Sequence, residues 1–284
     1  MGVRRSSRHL IAALAAAALV LSGSVVSTTA AHAAAPPPSQ VTRMAALGDS
    51  ITLGVSSCSS WSGCAQNSWA TGSSTTVASH LLRLRAAGAT TLIAYNDAVS
   101  GWRSAALDAQ ARAAVQQGAQ YVTIEIGAND ACTRTAAEMT SIATFKANVA
   151  AALATLSASA APPQIVVASI PSLQRLYEVN RTSSSARLTW SLLRICQSML
   201  ANPISTQPAD LQRRAAVQQR VNDYNVALQE ACAVVVSCRY DGGAVAGYAF
   251  ARTDISTRDY FHPSVAGQAR LSSITWPTTQ WASP

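Results

Sequence analysis

Five short, apolar, β-branched runs recur along the chain, separated by alanine- and arginine-rich stretches, and this alternation restricts the fold more than any other feature. The runs are VTRMAAL (41–47), TLIAYN (91–96), YVTIEI (121–126), QIVVASI (164–170) and AVVVSCRY (233–240). Between them, TTVASHLLRLRAAG (75–88) sets Val77, Leu81 and Leu84 on one helical face, and RSAALDAQARAAVQQG (103–118) closes on a glycine, a common helix stop. Further helical spacing covers 136–158, 209–231 and SVAGQARLSSI near the C-terminus. Strand and helix in alternation imply an α/β fold with a mostly parallel sheet of five strands, covered on both faces.

The first residues are a different material. MGVRRSSRH carries three arginines, LIAALAAAALVL is apolar, and AHAAAPPPSQ is small and proline-rich. This is the pattern of a secretory signal peptide. The apolar run, about a dozen residues, falls short of the roughly 20 that cross a bilayer. Ala31-His32-Ala33 offers a small-x-small cleavage site. The expectation is a signal peptide over 1–33, a single domain over 34–284 undivided by repeats or linkers, and a secreted, extracellular protein.

All six cysteines, Cys58, Cys64, Cys132, Cys196, Cys232 and Cys238, follow that leader, and an even number in an exported chain reads as disulfides. Loop-closure entropy favours near neighbours, which pairs Cys58 with Cys64 and Cys232 with Cys238 and leaves Cys132 for Cys196. With no C-x-x-C and few histidines, neither a metal nor a cofactor is expected. The formal charge of +8 includes three leader arginines and is spread without a basic block. That gives no support to nucleic-acid binding. It suits transient contact with anionic lipid or cell-wall surfaces, although a merely solvated surface is the plainer reading. A monomer is expected.

In a parallel sheet, chemistry collects beyond the carboxyl ends of the strands. There the chain places GDS after the first run, NDAVSGWRS after the second, GANDACT after the third and PSLQRLYEVNRTSSS after the fourth. No G-x-S-x-G, the usual serine-hydrolase signal, is present. A serine nucleophile at Ser50 needs a base, because its hydroxyl is weak until a neighbour takes the proton. His9 and His32 leave with the leader, so the base is His80 or His262. His80 sits beside an apolar stripe and reads as an ordinary helix residue. His262 stands in RDYFHPSVAG, three residues after Asp259, a spacing that lets a carboxylate hold the imidazole tautomer. Acyl transfer also needs donors for the developing oxyanion. The Ser50 N–H at the start of a following helix, the Gly101 N–H and the Asn129 amide stand in suitable places, although Gly, Asp, Ser and Asn are also ordinary turn formers.

Taken in order, ALGDSIT, VSG, GAND and DYFHPS resemble the four blocks of the GDSL, or SGNH, hydrolase family, most closely its secreted actinobacterial members. Isoleucine replaces the leucine of the family name, at a packing position. The resemblance implies a three-layer α/β/α sandwich of flavodoxin-like type. It also implies Ser50 as nucleophile, His262 as base, Asp259 as its orienting partner, and Ser50, Gly101 and Asn129 as oxyanion donors. The implied activity is a secreted esterase or lipase acting on small-molecule or lipid-like carboxyl esters. An acetyl esterase working on polysaccharide decorations is the alternative, and a non-catalytic binding module on the same fold is another. Trp61, Trp69 and Trp102 are candidates for an aromatic wall, each with core packing as the rival reading. The long segment 172–208 is expected to form a partly helical rim over the site.

Overall fold

Strand β1 (Arg43–Gly48) lies between β2 and the central β3 in an all-parallel sheet of order β2-β1-β3-β4-β5, with β2 Ile93–Asn96, β3 Tyr121–Glu125, β4 Gln164–Val167 and β5 Cys238–Tyr240. This computed structural model describes residues 1–3 and 34–282. Apart from its first three residues, the expected signal peptide lies outside the described residues. The chain divides into Met1–Ala31 and His32–Pro284, and every element below belongs to the second unit. Ten helices are described: α1 His80–Ala86, α2 Leu107–Gln116, α3 Ala128–Ala131, α4 Ile142–Ser157, α5 Leu173–Asn180, α6 Ser184–Leu192, α7 Gln197–Leu200, α8 Pro208–Ala233, α9 Ala244–Gly247 and α10 Val265–Thr275.

Side chains alternate across a strand, so each run feeds two cores. Ala45, Leu47, Val122, Ile124, Ile165 and Val167 pack with buried residues of α2, α4 and α8. Met44, Tyr121 and Val166 pack on the other face with Leu81 and Leu84 of α1, closed off by Trp276 and Trp281. This is the three-layer arrangement, with the sheet between two helical layers. On the second face His80 is fully buried, with Nδ1 2.6 Å from the Tyr121 hydroxyl and Nε2 2.8 Å from Thr275 Oγ1. Thr275 already donates to the Leu271 carbonyl (2.7 Å), so its oxygen accepts from Nε2–H and Nδ1 accepts from Tyr121. Burial, helped by the charge of Arg83, pushes the His80 imidazole down to about 3. It is a neutral bridge between α1, β3 and the end of α10.

Local chemistry explains where elements depart from expectation. Helix α1 starts at His80 rather than in the threonines before it, because Ser79 caps it by accepting from the Leu82 N–H, and Ala78 just upstream is left-handed (φ 49°). The fifth run yields only three strand residues. Helix α8 extends to Ala233, and the Cys232–Cys238 disulfide folds the intervening residues into a turn that leaves Val234 and Val236 exposed. Cys132 and Cys196 are bonded as well. The third expected pair is not closed, and Cys58 and Cys64 are free thiols. Cys64 is drawn inward by its N–H on the Leu53 carbonyl (3.0 Å) and by Asn67 Nδ2 on its sulfur (3.4 Å). Cys58 stays nearer the surface, its carbonyl accepting from Arg258 Nε (2.6 Å).

At the end of β3, facing the α1 and α10 layer, Glu125 is fully buried, and neither carboxyl oxygen has a hydrogen-bond partner. Burial, reinforced by neighbouring Asp49, pushes its carboxyl well above the usual range. The folded chain therefore keeps this proton while the unfolded chain releases it above its own, lower pKa. From that lower pKa up to the folded value, Glu125 costs stability as pH rises, by about 1.4 kcal/mol per pH unit. Glu125→Gln removes the titration, so the melting temperature of the variant relative to the wild type is expected to be higher at about pH 8 than at about pH 5. Melting curves at the two pH values check this, and an equal difference at both refutes it.

Candidate active site

The turn after β1 is forced by close backbone approach. Gly48 has φ 148°, and a Cβ there would lie 2.1 Å from the Glu125 carbonyl oxygen, so only glycine fits. The buried Gln110 of α2 grips its peptide from both sides, accepting from the Gly48 N–H (2.7 Å) and donating to its carbonyl (2.9 Å). The chain then leaves the sheet, and Asp49 and Ser50 stand above the carboxyl ends of β1 and β3. In this sheet order that is where the direction of winding reverses, the place where such sheets open a crevice. The helix expected to begin at Ser50 is reduced to turns, because Gly54 (φ 67°) and the serine-rich stretch after it end the local bonding.

Residues 254–264 bring the histidine to the serine. His262 Nε2 lies 2.8 Å from Ser50 Oγ, and Nδ1 lies 2.6 Å from Asp259 Oδ2. Asp259 Oδ1 also accepts from the backbone N–H groups of Phe261 and His262 (2.9 Å each). Burial alone would raise the Asp259 carboxyl, but the hydrogen bond and charge of His262 outweigh it and hold the group below the usual carboxylate range. An ionised Asp259 fixes the Nδ1–H tautomer and leaves Nε2 as acceptor for the serine proton. The loop is pinned to the segment after the nucleophile. Ser256 donates its hydroxyl to the Ser56 carbonyl (2.7 Å) and its N–H to the His262 carbonyl (2.8 Å). From α10, Gln268 donates to the Ile51 carbonyl (2.8 Å) and accepts from the Trp69 N–H (2.9 Å).

The Ser50 and Gly101 N–H groups donate no hydrogen bond among the described residues. Gly101 is left-handed (φ 80°), with open space where a side chain would stand. Asn129 Nδ2 lies 3.1 Å from Asp49 Oδ2 and 3.0 Å from the Trp102 carbonyl oxygen, so the amide spans the turns after β1 and β2. Burial pushes the Asp49 carboxyl up to about 7 against the hydrogen bond from the Ile51 N–H. Asp130, fully buried next to Asn129, accepts from the Ser104 N–H (2.8 Å) and hydroxyl (2.7 Å), which fixes the loop that carries Gly101.

Ser50, His262 and Asp259 are thus joined through hydrogen bonds, and Asn129 is tied to Asp49, the residue before Ser50, with Gly101 in the adjoining turn, whereas His80 lies in the α1 layer with both nitrogens occupied. Trp102 and Trp61 are 38% and 55% exposed, but Trp69 is fully buried, so a three-tryptophan wall does not form. Gln110, Gln268, Asp49 and Asp130, none singled out from the sequence, do the positioning. A buried glutamine in an otherwise apolar helical stripe is the one signal that pointed to the first two.

The sequence model of the GDSL-like lipase/acylhydrolase family matches residues 46–270. No curated protein matches the chain. Among solved structures, LAE5, an α/β hydrolase enzyme from the metagenome of Lake Arreo, is 17% identical with a TM-score of 0.53, over 86% of this chain and 97% of that one. The extracellular lipase of Streptomyces rimosus is 21% identical with a TM-score of 0.47, over 84% of this chain and all of that one (100%). An acetyl xylan esterase is 12% identical with a TM-score of 0.42, over 83% and 98% of the two chains. The family match takes in every strand end described above, from the turn after β1 to His262. The chain is therefore a carboxylic ester hydrolase and belongs to the GDSL-like lipase/acylhydrolase family.

Proposed function

We propose that the protein is a secreted serine esterase of single-domain build, cleaving lipid-like carboxyl esters through an acyl-enzyme on Ser50. The observation that carries this reading is the unbroken relay from Ser50 Oγ through His262 to Asp259, at 2.8 and 2.6 Å. As Oγ attacks the ester carbonyl, Nε2 takes its proton, and the imidazolium stabilised by Asp259 then gives that proton to the departing alkoxide. Water repeats the sequence on the acyl-enzyme and releases the acid. The oxyanion faces the unengaged N–H groups of Ser50 and Gly101. It takes over the Asn129 hydrogen that Trp102 holds in the free enzyme, each donor being worth roughly 2.7 to 4 kcal/mol of barrier. Secretion rests on the arginine-led apolar leader and the cysteine count. Disulfides between Cys132 and Cys196 and between Cys232 and Cys238 accord with that setting.

The lipid-like substrate rests on a small apolar cavity of about 30 Å³ beside the triad, lined by Ile51, which follows the nucleophile, and by Phe261 and Pro263, which flank the base. Leu173, Leu176 and Phe250 complete most of its wall. An acyl chain gains about 0.8 kcal/mol for each methylene buried there.

Ser50→Ala is expected to lower turnover of p-nitrophenyl butyrate by about 10⁴-fold or more, and His262→Ala comparably, with unchanged circular dichroism. His80→Ala should melt earlier yet keep most activity per folded molecule, and a collapse equal to that of His262→Ala would reassign the base. Filling the cavity with Leu176→Trp should depress kcat/KM for octanoyl esters by about tenfold while acetyl esters keep theirs, because overpacking there excludes the longer chain. Cleavage of acetylated glycan alone in a substrate series would replace the lipid-ester reading.

A further inference from the structure

Beyond the oxyanion donors the surface opens into a groove of about 540 Å³ lined in part by the Cys132–Cys196 disulfide. Arg103, Arg134 and Arg194 line it against a single carboxylate, Glu138. The groove begins at the catalytic turns. Arg103 follows Trp102, whose carbonyl accepts from Asn129, and Cys132 ends the same short helix that carries Asn129. Resting on the ester-hydrolase reading above, we propose that this groove is a subsite for a phosphate diester borne by the substrate close to its scissile ester, as in a glycerophospholipid.

The charges are unspent. Neither the Arg103 nor the Arg194 guanidinium makes a hydrogen bond or ion pair among the described residues, and Arg134 has only a long contact to Glu138 (3.5 Å) with its side chain 79% exposed. Glu138 is divided between that contact and the Thr135 N–H (3.3 Å). A fourth arginine nearby behaves differently. Arg213 donates to the carbonyls of Gln197, Ser198 and Ala201, pinning the segment after Cys196.

The backbone that presents these groups is held firmly. Arg194 and Cys196 are both left-handed without being glycine (φ 51° and 41°), a conformation that persists only where surroundings enforce it. The enforcement is visible: besides the disulfide, Ser198 exchanges hydrogen bonds with Thr133 and donates its hydroxyl to the Ala131 carbonyl (2.7 Å). Several guanidiniums lining one groove suit a phosphate, which accepts planar, paired N–H donors from several directions. In a glycerophospholipid the phosphate stands a few bonds from the ester carbonyl, which matches a subsite starting within one helical turn of Asn129.

The test uses soluble esters of equal chain length, dihexanoylphosphatidylglycerol and uncharged dihexanoylglycerol, with the full chain and its Arg103→Gln/Arg194→Gln variant. The fall in kcat/KM is expected to be about tenfold or more greater on the phospholipid than on the glyceride. Equal falls on both, or none on the phospholipid, overturn the subsite. Inorganic phosphate is added as competitor: if it inhibits the wild type but not the variant while the two esters are handled alike, the groove holds a free anion and the substrate role is lost. Calorimetric binding of dihexanoylphosphatidylglycerol to Ser50→Ala, with and without the arginine substitutions, reads the groove apart from turnover. Affinity weakened about tenfold supports the subsite even if Ser50 proves not to be the nucleophile, and unchanged affinity refutes it.

Discussion

The contact on which the site depends is the approach of Gly48 to the carbonyl of Glu125, so close that a single added carbon would collide at 2.1 Å. Strands β1 and β3 are held in register up to that point, and the chain can then leave the sheet only upward, which sets Asp49 and Ser50 over the strand ends. Gln110 makes the arrangement rigid by answering both polar groups of the Gly48 peptide. Without Gln110 the buried Gly48 N–H would lose its partner, at a cost of about 1–3 kcal/mol, whereas the carbonyl would keep the Val99 N–H (3.2 Å).

Around that fixed point His262 is delivered from the far end of the sequence without a strand to carry it. Residues 254–264 are irregular, and their order comes from side-chain bonds to the segment after the nucleophile and from Gln268 reaching back to Ile51. The Asn129 amide likewise ties two strand-end turns together rather than one. Ser50, His262 and Asp259 form one hydrogen-bonded chain that joins both ends of the domain, and the Asn129 amide meets the turn after β1 through Asp49.

Much of this was legible in the sequence. The five runs, their parallel order of use and the clustering of GDS, VSG and GAND at successive strand ends follow from periodicity and from where parallel sheets collect function. The choice of His262 over His80 followed from there being so few histidines. What stayed hidden depends on tertiary contact. The Cys232–Cys238 bond overrides the β-branched propensity of 233–237, Ser79 rather than the apolar stripe decides where α1 begins, and Trp69 turns inward, where its indole N–H meets the Thr52 hydroxyl (3.4 Å). Cys58 and Cys64 are neighbours, as their spacing suggested, and their thiols share a hydrogen bond rather than a disulfide.

The Cys132–Cys196 disulfide spans a sequence separation of 64 residues that includes α4, β4, α5 and α6. A protease that cuts the rim once, anywhere between the two cysteines, releases no fragment: the new ends separate, but both pieces remain one covalent molecule. A nick in α5 or α6 therefore leaves the strand-end turns covalently attached to the rest of the domain. Such a nick becomes visible as two chains only after reduction.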